Sequence, residues 1–586
     1  MFDLAAQIPP RARRVAELGL LRERVGEAFL RMQPRGEYFG VASDLSEMRE
    51  AASFLTHAFC VRPEALDLES LGLFGLDALL VRGEFIRGLT ADRLKTWAAC
   101  LSDKGQILLD VPNPVYIRNY LEQLAGRGSN LPGLGVPEAA ELLRGAGLHS
   151  CRVGGSLDND RDLALRQGEE GRILMESLQT ALGKLGLQGE PDRNPWVRSF
   201  FFKAVAEKPK EEKRLLIQTV VGETVVTPRV RLYEPHSFLA TEPEVTTMFV
   251  TEDNGREIEA TAARFPRKVF IRQRLHYTAV EQAFTTVEML RRAGYLILSE
   301  LDDNPNVFGK KMEEVGHLSY IGTHALQVST KPLAELMLPF NPHVAVFRNE
   351  LKELPEQRKY AAEQLKRLSE GEDYVTFFFG ALNRTQEWQE VMPVISAAIE
   401  KYGSKLRFKV LSDKEFYETL PTGHKEFIGN MQMFEGQFVP YPVYQAALHS
   451  ADISFLPLHD TAFNRAKSDL KFIESAGHGA VVLASPTVYE ATVQHGRTGF
   501  IYRSPEEFGE YLDLLVQDRE RRLAMAEAAY NYVREERLLS SHYLERLEWY
   551  QEMVDRRPEL DREMVQRMRK WQEKHPGAFK AEGEKS

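Results

Sequence analysis

The sequence predicts an α/β protein of three domains, each built on a parallel β-sheet, followed by a helical tail. Three observations carry that prediction. Short apolar runs alternate with longer amphipathic segments along most of the chain, the signature of βα units. The alternation falls into blocks separated by the charged stretches "EKPKEEK" (207–213) and "ELPEQRKYAAEQLKRLSEGED" (353–373). The chain is also 586 residues long, more than the roughly 250–300 residues that one hydrophobic core organises.

In the first block, strands are predicted at "RVAELG", "YFGVAS", "LDALLVRG", "QILLDVP", "SCRVGG" and "VRSFFFKAVA". The second block starts at "RLLIQTVV" and continues through "KVFIRQR", "YLILSELDD", "ALQVST" and "HVAVFRN". The third holds "YVTFFFGAL", "LRFKVLSD", "ISFLPL", "AVVLAS" and "GFIYR". From about Pro505 the pattern is helical to the end, closing in a charged tail expected to fray. The domain bounds so read are 1–208, 214–370, 371–538 and a helical extension over 539–586.

The composition, 43% hydrophobic and 27% charged, is that of a soluble globular protein. No window approaches the ~18 uninterrupted apolar residues of a membrane span, and the start shows no basic leader with an apolar run. Cys60, Cys100 and Cys151 are too few, and odd in number, for a disulfide framework. A cytoplasmic setting is expected. The net charge of −10 argues against a nucleic-acid partner, which requires clustered Lys and Arg.

The most informative stretch is "NRAKSDLKFIESAGHGAVVLASPTVYE" (464–490). A helix N-terminus presents unpaired N–H groups and partial positive charge, hence an anion site. Here Ser468 or Asp469 is expected to cap, Lys471 adds a cation in the first turn, and Glu474, three residues on, shares its face. A cation for phosphate beside a carboxylate for sugar hydroxyls suits a nucleotide diphosphate and its ribose; a surface salt bridge at a capped helix is the plainer alternative.

In its setting the stretch resembles the nucleotide-sugar-binding half of retaining glycosyltransferases of the GT-B architecture, which have two facing Rossmann-like domains. The order is K-x-x-E, small residues, an apolar strand, "SPTVYE" and then "HGRTGFIY". The resemblance implies that Glu474 holds the ribose and that Pro486, Thr487, Val488 and Tyr489 lie beside the donor. "FFFGALNRTQEWQEVMPVI" matches the family's first strand and glycine turn, which places Gly380 at the turn, Asn383 among the donor-binding residues and Arg384 on the diphosphate. Arg suits that task because its planar fork donates two parallel hydrogen bonds. "FEGQFVPYPVYQAALHSADISFLPL" matches the segment lining the base pocket. One feature departs from the pattern. Many members carry a sugar-contacting Glu eight residues before the ribose carboxylate, and here that position is Ala466; Lys467 or Asp469 are the candidate substitutes.

The second block is then expected to supply the acceptor side. Arg229, Arg231 and His236 follow its first strand, and Arg272, Arg274 and His276 stand at another strand end, the ligand edge of an open α/β sheet. Of these, His236 and Arg274 are taken as substrate-binding candidates. The pair Asp302–Asp303 invites a divalent-metal reading, but GT-B enzymes generally need no bound metal and a capped turn before Pro305 accounts for the acids. No cofactor is expected, the nucleotide sugar being substrate.

The first block resembles the S-adenosylmethionine-dependent methyltransferase fold run by run, with "SCRVGG" and "VRSFFFKAVA" as its closing hairpin. Its ligand chemistry is missing. Where that family has glycines after the first strand, this chain has Gly19 followed by Leu20, Leu21, Arg22 and Glu23, and the acid expected after the second strand is Ala42. A fold kept without its activity, serving as a platform for the acceptor or a second copy, is the expectation. Together these readings predict a sugar transferase acting from a nucleotide-diphosphate donor on a glycan or protein, with retention. The alternatives are a non-catalytic scaffold of degenerate domains and an active methyltransferase carrying a sugar-binding module.

Overall fold

The computed structural model describes residues 3–113, 116, 135–156, 168–184, 197–221, 228–250, 263–305, 315–355, 367, 369–382, 384–429 and 439–576. The chain forms two compact units, Met1–Arg214 with Ala240–Val245, and Leu215–Leu239 with Thr246–Ser586.

The first unit holds a sheet of seven strands: β1 (Arg14–Leu18), β2 (Glu37–Ala42), β3 (His57–Cys60), β4 (Leu76–Val81), β5 (Leu101–Pro112), β6 (His149–Ser156) and β7 (Ser199–Val205). Their order is 3-2-1-4-5-7-6. Strands 1 to 5 run parallel and β7 runs antiparallel to both neighbours, so the hairpin expected at "SCRVGG" and "VRSFFFKAVA" forms. In an open α/β sheet the ligand crevice lies where strand order reverses, here between β1 and β4. That place is filled. Arg82, just past β4 and 1% exposed, bonds Glu17 at 2.9 Å, Asp110 at 3.2 Å and also Glu23. Leu20, in the left-handed region, leads into a turn of 3-10 helix whose Leu21 is buried.

The second unit holds two more sheets. One contains β8 (Leu215–Val221), β9 (Val245–Val250), β10 (Arg267–Gln273), β11 (Leu296–Leu301), β12 (Ala325–Val328) and β13 (Val344–Val346), ordered 13-12-11-10-8-9. The other contains β14 (Val375–Phe379), β15 (Leu406–Leu411), β16 (Lys425–Ile428), β17 (Ile453–Leu456), β18 (Val481–Ala484) and β19 (Gly499–Ile501), ordered 16-15-14-17-18-19 and parallel throughout. Phe377, Phe379, Phe408 and Phe455 centre the core of this last sheet.

Three strands were not expected: β3, β9 and β16. Each is an edge strand with exposed or half-buried residues, so none shows the apolar run by which buried parallel strands announce themselves. The helical extension expected over 539–586 forms in its described part, and the charged end expected to fray lies outside the described residues from 577 on. Helices span Leu539–Asp555 and Arg557–Lys574. In the latter, Leu560, Met564, Met568 and Trp571 are buried, a helical-period stripe in otherwise charged sequence. The last three join Phe270, Ile297 and Leu318 in one cluster. No helix among the described residues is long and apolar enough to cross a membrane.

Two buried histidines make the second unit acid-sensitive. Burial, with Arg546 nearby, pushes the His236 imidazole down to about 3, and burial beside His449 does the same to His478. Unfolded histidine titrates near ~6.5, so between about pH 3 and 6.5 the unfolded chain binds more protons and stability falls as pH falls. The full contribution is present above that window. Each histidine should cost about 1.4 kcal/mol on going from neutral pH to 5.5. Urea denaturation of the intact chain at pH 7.5 and 5.5 measures it, with His236→Gln expected to flatten the difference; equal stability at both pH values would contradict the assignment.

Candidate functional site

A pocket of about 370 Å³ opens at the carboxyl edge of the third sheet, at the reversal of strand order between β14 and β17. This is where open α/β sheets take ligands. Gly380 and Arg384 follow β14, Ser412 follows β15 and Pro457 follows β17, while Ser468, Lys471 and Glu474 come from the start of the helix Leu470–Gly477 and Tyr489 from the loop after β18.

Gly380 is required there for packing as well as for approach. A Cβ on it would fall 2.5 Å from the ring of Phe378, another wall of the pocket. Arg384 precedes the helix Thr385–Tyr402 with its side chain 18% exposed, its guanidinium 3.5 Å from Glu387 one turn on. Asn383 lies outside the described residues.

Glu474 is 3% exposed. Its two oxygens accept from the phenols of Tyr441 (3.3 Å) and Tyr444 (2.8 Å). Lys471 donates to the Tyr444 hydroxyl at 3.1 Å and lies 4.3 Å from that ring. Burial lowers the Lys471 ammonium below the ordinary lysine range, with Glu474 opposing. A cation so desolvated gains most when an anion arrives to share its site. The tyrosines themselves, three apart on the helix Tyr441–His449, share one face. The sequence held that signal, "YPVY", but only as part of a longer matched segment. Arg229, from the segment after β8, stacks 4.0 Å from the Tyr441 ring and bonds Glu234 at 2.7 Å. It is the one of the three expected cleft residues after that strand found against a pocket wall.

Tyr489 is 4% exposed on the pocket wall, and Thr487 is buried two residues before it. Between them Val488 has φ +72°, an outlier for a β-branched residue. Such strain gathers at ligand clamps and active sites.

Several expectations need correction. Asp469 does not cap the helix, although it is the N-cap residue. Its carboxylate is held by both outer nitrogens of Arg537 at 2.5 and 2.8 Å, so it is not available to a substrate. Ser468 lines the pocket but is the acceptor of the Asn349 amide at 2.7 Å rather than a cap. His236 is 1% exposed, packed against Phe249 at 5.3 Å and no part of the pocket lining; burial keeps it neutral and its role is in packing. Arg274 is engaged by Asp302 (2.6 Å) and Asp303 (2.7 Å), because two carboxylates at a strand end need countercharge. Arg231, a cleft candidate, is buried and bonds Glu300 at 2.6 Å and Asn349 at 2.9 Å. Ala466 is 1% exposed and packs into a cluster with Leu301, Tyr320, Leu326 and Val328. A carboxylate at that position would be buried among apolar side chains. Lys467 does line the pocket, its ammonium 3.0 Å from Asp303.

Against this geometry, residues 393–548 match the model of a family described as glycosyl transferase-like. No curated protein matches the sequence at a significant level. Among solved structures, HepE of Anabaena in complex with UDP and glucose is 11% identical, covering 57% of this chain and 99% of its own at a TM-score of 0.41. A glycosyltransferase from Rickettsia africae is 13% identical over 58% of this chain and 98% of its own, with a TM-score of 0.41. A trehalose-6-phosphate protein from E. coli bound with UDP-2-fluoro glucose is 11% identical over 58% and 99%, with a TM-score of 0.38.

The pairing of Arg537 with Asp469 predicts a stability effect. Arg537 is 1% exposed, and removing one partner of a buried pair strands the other charge at a cost of about 3–5 kcal/mol. Arg537→Leu should therefore lower the urea midpoint markedly, and Arg537→Leu/Asp469→Leu should recover part of the loss. A single variant as stable as the parent would show the pair to be inconsequential.

Proposed function

We propose that this chain is a glycosyltransferase of the GT-B kind, moving a sugar from a nucleotide-diphosphate donor to a glycan or protein acceptor with retention. The observation that carries the reading is the convergence of Arg384, Lys467 and Lys471 with Glu474 on one pocket at the strand-order reversal of the third sheet. The glycosyl transferase-like match over 393–548 spans most of that sheet's domain and supports it. Cleavage of the donor leaves negative charge on the diphosphate. Fixed cations aimed at that charge stabilise the transition state more than the ground state. Arg384 and Lys471 take that part. Glu474, oriented by Tyr441 and Tyr444, offers its carboxylate to the ribose hydroxyls. Asp302 and Asp303 are engaged by Arg274 and Lys467, and the pocket carboxylate Glu474 by two tyrosines, which supports turnover without a divalent metal.

The first unit has, in this reading, the methyltransferase-like fold without the activity. Its strand order and closing hairpin support the fold, and Arg82 with its carboxylates, lodged in the crevice, supports the loss. We assign it to docking of the acceptor or of a second copy, and the whole to the cytoplasm.

A thermal-shift screen of the full chain tests this. A nucleoside diphosphate should raise the melting temperature and S-adenosylhomocysteine should not. Stabilisation by S-adenosylhomocysteine would favour an active methyltransferase, and by neither a scaffold. In steady-state kinetics, Arg384→Ala and Lys471→Ala should each lower turnover on the order of a hundredfold. Glu474→Ala should mainly raise the Michaelis constant for the donor, because it removes binding common to ground and transition states. Chelator should leave the rate unchanged; loss in EDTA with rescue by magnesium or manganese would overturn the metal-free mechanism.

A further inference from the structure

Lys467 and Ser468 of the loop 464–469 line the pocket, and residues of the second sheet's domain hold that loop in place. The Thr330 hydroxyl donates to the Ala466 carbonyl at 2.8 Å, and the Asn349 amide donates to Ser468 at 2.7 Å. The methyl of Ala466 is buried in that domain's apolar cluster. Within this loop no carboxylate remains for a ligand, since Ala466 has none and Asp469 is held by Arg537. An acid of the second sheet's domain reaches this loop. Asp303, just past β11, sets its Oδ1 3.0 Å from the Lys467 ammonium, and Lys467 is a pocket-lining residue that also lies 4.3 Å from the Phe463 ring.

Asp303 is held with care. The Arg274 guanidinium donates to its other oxygen at 2.7 Å and to Asp302 at 2.6 Å. Arg274 does so from φ +51°, a left-handed conformation that a non-glycine residue adopts at a cost and that recurs at ligand clamps. Asp303 keeps 26% of its side chain exposed and Lys467 24%, so the pair is oriented but still open to a ligand.

A sugar ring presents vicinal hydroxyls, each both donor and acceptor. A carboxylate beside an ammonium, both fixed, matches such a pair by accepting from one hydroxyl and donating to its neighbour. We propose that Asp303 and Lys467 together hold the hydroxyls of the transferred sugar. Asp303 comes from the second sheet's domain and Lys467 from the third. Arg274 is the positioning residue. Because Asp303 would repel a sugar carboxylate, the sugar is neutral and hydroxylated rather than a uronate. This rests on the nucleotide-sugar reading of the pocket.

The test separates the two. Calorimetry of the full chain with UDP, GDP and dTDP first identifies the diphosphate; binding of none would remove the nucleotide reading and this inference with it. Affinity and hydrolysis are then measured with the glucose, galactose, mannose and glucuronate conjugates of the base that binds, on the parent, Asp303→Asn and Lys467→Met. For Asp303→Asn the diphosphate Kd should stay within about twofold, while kcat/KM for the neutral sugar, or its affinity where none is hydrolysed, falls about tenfold to a hundredfold. Deoxygenating the contacted hydroxyl should cost the parent a similar factor and Asp303→Asn little more. The deoxy series on the parent needs no variant to fold. A parent indifferent to every single deoxygenation, one that prefers glucuronate, or an Asp303→Asn protein that handles the sugar as the parent does would each overturn the proposal. So would equal losses of sugar and diphosphate binding.

Discussion

Arg537 is the residue on which the geometry of the second unit turns. The chain passes from the second sheet's domain to the third near Asn349–Leu351 and returns near Leu538. The two passes are stitched together: Leu351 N–H donates to the Arg537 carbonyl and Leu539 N–H to the Leu351 carbonyl, each at 2.9 Å. The Arg537 guanidinium then reaches the Asn349 carbonyl at 2.8 Å and both oxygens of Asp469. One buried cation thereby ties both crossings to the start of the helix that carries Lys471 and Glu474. A bidentate Arg–carboxylate pair fixes direction as well as distance, so the helix cannot rotate about its axis without breaking it.

The same constraint explains the charge pattern at the pocket. Asp469 neutralises Arg537 rather than a ligand-facing cation. Lys471 is left with a phenol and the shared Glu474 as its polar surroundings, and its ammonium is correspondingly depressed by burial. Lys471 is thus less fully countered than the arginines that build the frame, Arg231 and Arg537, each of which has a buried carboxylate or carbonyl partner at under 3 Å, whereas Lys467 at the pocket is paired with Asp303 at 3.0 Å.

How far the sequence went follows from the range of each interaction. Runs such as "FFFGAL" and "AVVLAS" are buried on both faces and so announce themselves as central strands, whereas β3, β9 and β16 sit at edges with polar residues and do not. Gly380, Arg384, Ser468, Lys471, Glu474 and Tyr489 were legible because each lies within a few residues of a strand end or helix start on one sheet. Asp303 was not assigned to this pocket, and Arg229 was expected only on the acceptor side of the cleft, since their places beside Lys467 and Tyr441 depend on how a different sheet is docked. Asp469 misled for the same reason: a cap is a local motif, and its actual partner is 68 residues away. His236 follows the first strand of its sheet and Arg274 stands at a strand end, but burial in the one case and two nearby acids in the other engage them.

The packing of Met564, Met568 and Trp571 against Phe270 and Ile297 has a consequence for how the chain is made. These side chains belong to the helix Arg557–Lys574, yet they complete a core whose strands leave the ribosome well before them. At about 5–20 residues per second, on the order of tens of seconds separate the synthesis of β12 from that of Trp571. Throughout that interval the part of this core that the three side chains cover stands open, although the helix Val280–Arg292 already packs on it, whereas the third sheet's phenylalanine core draws on none of them. The third sheet's domain therefore matures first on the nascent chain, and the domain begun earlier is sealed last. A chain released early, or cut within its final turns, would carry a finished pocket beside an open hydrophobic face, the form in which newly made proteins are handed to chaperones.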